Sequence, residues 1–216
     1  MKYKAVIFDL DGTLLDTIED LSDSMNAVLI KEGFPTHDTE AYKYFIGTGV
    51  RNLVSSALPE GSRDEALIER CVAGMKKEYS LRWKDKTRPY AGIPELLDSL
   101  NRLDIKMAVL SNKPDEFTKL IVSELLSGWK FDVVFGERPT VPRKPDPSSA
   151  LEISRLMGLN PQDFLYLGDS GTDMATACAA GMYAAGALWG FRKAGEMLAA
   201  GAKKLIENPS ELLLLL

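Results

Sequence analysis

The chain's 216 residues, 45% of them hydrophobic and 26% charged, suit one large domain or a domain carrying a smaller insertion. A net charge of −5 with no basic run excludes a nucleic-acid surface, and no apolar run approaches the roughly 18–20 residues of a membrane-spanning helix. One histidine, His37, excludes a multi-histidine metal site and argues against Ser-His-Asp or Cys-His chemistry, so any catalysis rests on carboxylates, lysines and hydroxyls. Met1-Lys2-Tyr3-Lys4 leads directly into a strand without the layout of a signal peptide, and Cys71 and Cys178 fall in no CxxC or Cys/His spacing. The expectation is a soluble, cytoplasmic protein.

A first apolar strand over 4–8 runs into Asp9-Leu10-Asp11-Gly12-Thr13. Residues two apart on an extended chain project to the same side, so Asp9 and Asp11 form a like-charge pair. Such a pair must be neutralised by a cation or put to use. From Asp16 to Arg88 the pattern changes: Leu21, Met25, Val28 and Leu29 make a helical stripe ending at Gly33, and 49–58 and 64–82 also read as helices. With no core strand there, 16–88 is expected to be an all-α cap domain, joined by a two-stranded hinge to a core of 1–15 and 89–216. Beyond it, strands at 105–110, 131–135, 164–167 and 183–188 alternate with helices at 93–103, 114–126, 147–157 and 172–180. Near-continuous apolar strands separated by helices predict a doubly wound, mostly parallel α/β sheet. The final leucines, 212–216, are expected to form a short helix burying apolar side chains against the core.

Ligands of such sheets bind beyond the carboxyl ends of the strands. Those ends carry Asp9 and Asp11, then Ser111-Asn112-Lys113, then Arg143-Lys144-Pro145-Asp146, then Gly168-Asp169-Ser170-Gly171-Thr172-Asp173. Asp9, Asp11 and Asp169 are hard oxygen ligands, and so few carboxylates favour Mg²⁺ over Ca²⁺. Lys144 suits neutralisation of phosphate charge, and the Ser111 and Thr13 hydroxyls suit its oxygens. Phosphoryl transfer fits the set, with Asp9 as nucleophile and Asp11 as acid/base. Asp173 is left between metal ligation and a helix-capping role, and Lys113 between substrate binding and flanking the site.

These four motifs, in this order at strand ends, resemble the haloacid dehalogenase superfamily, and the helical insertion matches its cap. Ser111-Asn112-Lys113-Pro114 and Arg143-Lys144-Pro145-Asp146-Pro147 are most similar to the phosphoglycolate phosphatase group. The resemblance implies Ser111, Asn112 and Lys144 around the phosphoryl group. It also implies Mg²⁺ held by the Asp9 side chain, the Asp11 backbone carbonyl and Asp169, with Asp173 in support. Asp11 separates the chain from the dehalogenases, which lack the second aspartate, and from the phosphonate hydrolases, which use a small residue there. Sugar phosphomutases keep both aspartates and remain the alternative, with a catalytically inactive binding module as the reading from another class.

In the cap, Gly47-Thr48-Gly49 and Arg51 stand at a helix start where backbone N–H groups and a guanidinium can receive a substrate carboxylate or phosphate, a tight turn with a solvated arginine being the other reading. His37 belongs to a helix-entry loop. Trp189-Gly190-Phe191 closes the core near the strand ends. The expected partner is a small phosphorylated metabolite, with no nucleic acid and no membrane, acting on a monomer or homodimer.

Overall fold

The computed structural model describes residues 2–216. Strand β1 (Ala5–Phe8) leads into the two-residue β2 (Leu15–Asp16). Four helices follow, α1 (Ile18–Lys31), α2 (Thr39–Phe45), α3 (Val50–Ala57) and α4 (Glu65–Arg82), and then the two-residue β3 (Arg88–Pro89). From there helix and strand alternate through α5 (Ile93–Arg102), β4 (Lys106–Pro114), α6 (Asp115–Leu125), β5 (Val133–Glu137) and α7 (Ser148–Leu156). The chain continues with β6 (Phe164–Gly168), α8 (Gly171–Ala179), β7 (Tyr183–Ala187), α9 (Ala194–Ala199) and β8 (Lys204–Ile206).

Six strands form a wholly parallel sheet in the order β5-β4-β1-β6-β7-β8. The chain moves outward from β1 through β4 to β5, then returns to the other side of β1 for β6, β7 and β8. That reversal opens a crevice at the carboxyl end of β1, where doubly wound sheets bind ligands. Both faces of the sheet are covered, which explains the unbroken apolar strands. Val6 and Phe8 of β1 join a cluster containing α5 residues such as Leu97, while Ala5 and Ile7 pack with Ile153 of α7 and Met174 of α8. Among the described residues, no helix is long and apolar enough to cross a membrane.

The structure adds detail to the sequence reading at several elements. Strand β4 runs to Pro114 rather than stopping at 110, with a register shift between Leu110 and Pro114, so Ser111, Asn112 and Lys113 ride on the strand end itself. The short α2 and α9 and the three-residue β8 are too brief for periodicity to reveal. The terminal leucines form a 3-10 turn over Pro209–Leu215 in which Leu212 is buried and Leu214 is exposed.

Between β2 and β3 the chain is entirely helical. The two short strands pair antiparallel, Leu15 with Pro89 and Asp16 with Arg88, so the chain leaves and re-enters the α/β layer through adjacent strands. The apolar cluster on one sheet face continues into the helices through residues such as Met25, Leu53 and Cys71. One polar brace crosses this junction. The Asp20 carboxylate of α1 accepts from the backbone N–H of Lys86 at 3.1 Å and of Thr87 at 2.9 Å, and from the Thr87 hydroxyl at 2.7 Å. Asp20 and Thr87 are both buried. Asp20→Ala leaves those donors without acceptors and should cost about 3 kcal/mol. Thermal unfolding should show the midpoint falling by roughly 6–12 °C; an unchanged midpoint would show that the carboxylate does not hold the junction.

Candidate active site

The carboxyl end of β1 is fixed by the sheet, since the Asp9 N–H donates to the Leu167 carbonyl of β6 at 2.9 Å. Its carboxylate meets Lys144, which arrives on the loop between β5 and α7. Lys144 Nζ donates to Asp9 Oδ1 at 2.8 Å, to Asp173 Oδ1 at 2.7 Å and to the Leu110 carbonyl at 2.9 Å. An ammonium has three donors, so these three acceptors determine its position completely. Asp173 itself is the third residue of a capping box that starts α8: its Oδ2 accepts from the Ser170 hydroxyl at 2.6 Å and from the Ser170 N–H at 3.2 Å.

Asp169, at the end of β6, lies in a cradle of backbone. The Phe191 N–H donates to Oδ2 at 2.7 Å, and the Thr13 hydroxyl reaches Oδ1 at 3.4 Å. A Cβ on Gly12 would stand 2.4 Å from Asp169 Oδ2, and one on Gly190 would stand 2.3 Å from both the Asp169 Cβ and the Gly12 carbonyl oxygen. Only glycine allows either backbone to approach so closely.

Asp9, Asp169 and Asp173 are buried and each brings an oxygen within 4.8 Å of the others. Lys144 is the only cation paired with any of them among the described residues, so three carboxylates face one ammonium. The electrostatics register the imbalance. Burial, opposed by Lys144 but reinforced by the Asp173 and Asp11 charges, pushes Asp9 up to about 7. Burial and the neighbouring Asp9 and Asp173 hold Asp169 well above the usual carboxylate range. Lys144 is held well above its usual value: burial opposes its charge, but the Asp173 and Asp9 carboxylates outweigh it. A divalent cation is the complement this donor set lacks, and all-oxygen ligands suit a hard one.

Asp11 belongs to a second ion pair. Lys113 Nζ, on the end of β4, donates to its two oxygens at 3.0 and 3.1 Å and stands 4.5 Å from the ring centroid of Tyr79 in α4. Asp11 outweighs burial and keeps the Lys113 ammonium above its ordinary range. Asp9, Asp11, Ser111, Asn112 and Lys113 open together onto a cavity of about 60 Å³, room for roughly four or five waters or one small oxyanion. Its opposite wall comes from the helices and is mainly apolar: Leu21, Ile46, Val50, Leu53 and Met75, with Lys76 and Tyr79 the exceptions.

The structure thus brings together Asp9, Asp11, Ser111, Lys113, Lys144, Asp169 and Asp173, as the strand-end reasoning expects. Several assignments change in detail. Thr13 is fully buried and turns its hydroxyl to Asp169, away from the cavity. Asn112 braces loops instead of presenting a free amide: its Nδ2 donates to the carbonyls of Gly47 at 3.0 Å and Lys144 at 3.1 Å, and its Oδ1 accepts from the Lys144 N–H. Both oxygens of Asp173 are engaged by Lys144 and Ser170, which makes it the residue that positions the lysine. Gly47 lines the cavity, but Arg51 does not; its guanidinium is paired with Glu65 and Glu69 on α4. His37 bonds the Ala57 carbonyl through Nε2, and its backbone N–H reaches Asn26, so it is a structural residue. Trp189-Gly190-Phe191 does more than close the core, since the Phe191 N–H holds Asp169 and Trp189 Nε1 donates to the Thr13 carbonyl. Sequence reasoning missed Tyr79, whose one available signal is its place on the buried stripe Leu67-Cys71-Val72-Met75-Tyr79 of α4.

Residues 6–187 match the haloacid dehalogenase-like hydrolase family model, and the chain belongs to that family. It is similar to the phosphoglycolate phosphatases, which are phosphoric monoester hydrolases. That of Aquifex aeolicus is 34% identical over 191 residues, covering 88% of this chain and 87% of the relative. That of Chromobacterium violaceum is 31% identical, covering 97% and 94%. A candidate phosphoglycolate phosphatase of Lactobacillus delbrueckii subsp. bulgaricus superposes with a TM-score of 0.91 at 32% identity, covering 98% of this chain and 97% of that one.

The raised Asp9 has a consequence for stability. Its proton is held in the folded state up to about pH 7 but is released near 3.8 in the unfolded chain, so stability declines as pH rises between those values. Asp9→Asn removes that dependence. Without divalent metal, the variant should melt above the parent at pH 8, by roughly 2–4 °C per kcal/mol relieved, with the gap closing toward pH 4. Melting curves in chelator across that range provide the check, and a variant uniformly less stable would contradict it.

Proposed function

We propose that the protein is a Mg²⁺-dependent phosphatase that hydrolyses a small organic phosphomonoester through an aspartyl-phosphate on Asp9. The carrying observation is the Asp9 carboxylate at the cavity floor: Lys144 fixes one oxygen, and the other accepts no hydrogen bond among the described residues. That leaves one oxygen for attack on phosphorus. The kinship with phosphoglycolate phosphatases supports a short substrate alcohol, and the cavity's small volume agrees with it.

In the first half-reaction a bond forms between the free Asp9 oxygen and phosphorus while the ester bond to the alcohol breaks. The departing alcohol oxygen takes its proton from Asp11. In the second, water attacks phosphorus and gives its proton to Asp11, the Asp9–phosphorus bond breaks, and phosphate leaves with Asp9 restored. Lys113, paired with Asp11 and lining the same cavity, is placed to meet the negative oxygens of a substrate beside the acid/base. Lys144 orients Asp9 throughout and lowers the cost of charge at the phosphoryl oxygens. Ser111 offers its hydroxyl to those oxygens from the end of β4. Mg²⁺, held by Asp9, Asp169 and the Asp11 carbonyl, would neutralise phosphoryl charge and the excess of buried carboxylate. Residues 16–88 serve as a cap over a core of 1–15 and 89–216, excluding bulk water when shut and admitting substrate when open.

Phosphate release from 2-phosphoglycolate and from an aryl phosphate, with and without Mg²⁺, tests the reading. Chelation should stop turnover and added Mg²⁺ restore it. Asp9→Asn should abolish it, whereas Asp11→Asn should lower kcat by about 10²–10⁴ and allow acid-quenched protein to show a phosphoryl adduct on Asp9. Undiminished hydrolysis by Asp9→Asn rejects the nucleophile, and isomerised sugar phosphate in place of free phosphate would identify a mutase.

A further inference from the structure

The apolar wall opposite the aspartates contains one polar group whose placement demands an explanation. Tyr79 of α4 is 3% exposed, lines the cavity beside Asp11 and Lys113, and its hydroxyl has no hydrogen-bond partner. A buried hydroxyl left unpaired costs about 1–3 kcal/mol, and native proteins rarely tolerate one without a use for it. Lys113, 4.5 Å from the ring centroid, can donate to the phenol oxygen but offers the phenol proton no acceptor, so it is the donor that stays unmatched. Burial also pushes the phenol up to about 12, so the group stays a neutral donor through the physiological range. The ring is held rigidly, edge-on to Phe117 of α6 with centroids 5.3 Å apart and with Lys113 over its face.

We infer that the Tyr79 hydroxyl is a specificity-determining donor, reserved for an acceptor oxygen on the organic half of the substrate. Resting on the phosphomonoester reading above, this names the part of the substrate that the helical wall selects. A neutral donor beside the Lys113 ammonium, in a cavity that the exposed Lys76 also lines, favours a carboxylate there. Lys76 has no carboxylate partner among the described residues, and the remaining helical side chains on that wall carry no polar atom. A phosphate ester of a plain alkyl alcohol would leave the phenol proton unmatched. An ester of a short hydroxy acid would meet it. The device also ties selection to closure, because Tyr79 reaches the site only from the helices.

The test is the binding of 2-phosphoglycolate and ethyl phosphate, measured calorimetrically in an Asp9→Asn background so that no turnover intervenes, with and without Tyr79→Phe. The expected result is that Tyr79→Phe weakens 2-phosphoglycolate about tenfold and leaves ethyl phosphate unchanged. The melting temperature of the single variant Tyr79→Phe should stay level or rise, because an unpaired hydroxyl is removed; a purely structural hydroxyl would lower it. Equal weakening of the two ligands, no weakening, or a lowered melting temperature overturns the assignment. If ligand discrimination follows Tyr79 but the parent protein releases no phosphate from either ester, the hydrolytic reading alone fails.

Discussion

The contact on which the site depends is Lys144 Nζ between Asp9 and Asp173. Three carboxylates at strand ends cannot be buried together without compensation, since an isolated charge in a dry interior costs several kcal/mol even after relaxation. One ammonium joins two of them and uses its third donor on the Leu110 carbonyl, so it locks β1, β4 and the start of α8 into one frame. The parallel sheet makes this possible by bringing the ends of β4, β1 and β6 side by side. The capping box of α8 then aims Asp173 at the lysine, and so a local helix signal becomes a tertiary constraint. What remains is a deficit of positive charge centred on Asp169. That deficit is what a hard divalent cation would complement.

Much of this was legible in the sequence for a specific reason. Residues that sit where an apolar run stops at a carboxylate, such as Asp9 and Asp169, announce themselves because strand ends in parallel sheets converge whatever the loops do. The sheet's order follows from the same alternation of strand and helix. What the sequence left hidden are contacts whose partner is distant along the chain. Asp20 meets Lys86 and Thr87, and Tyr79 meets Lys113, only after the helices have packed. The surroundings of Thr13, Asn112 and Arg51 are hidden for the same reason. Each has polar atoms suited to a ligand, but a neighbouring element claims them first: Asp169, the Gly47 and Lys144 backbones, and the two glutamates of α4.

The connections between helices and sheet converge on one short segment. Asn112 donates to the carbonyl of Gly47, Arg143 to that of Thr48, and Arg192 to those of Lys43, Tyr44 and Ile46. All the acceptors are backbone carbonyls between residues 43 and 48. Arg192 thereby plays the role of a C-terminal cation for α2, supplied from another part of the chain. Because carbonyls are the acceptors, side-chain variation in this segment leaves the attachment intact.

Magnitudes then decide how firmly the helices are held. Each of these bonds, made at a partly exposed boundary, contributes roughly 0.5–1.5 kcal/mol net, beside the apolar cluster that runs from the sheet face into the helices. The Asp20 brace lies instead beside the paired strands β2 and β3 and is buried, so it holds the junction. The helical layer thus meets the sheet through a buried polar brace at the β2–β3 junction, an apolar cluster and partly exposed carbonyl contacts at its far edge. Tyr79 reaches the Lys113–Asp11 pair from that layer, so the packing of the helices decides what stands opposite the aspartates.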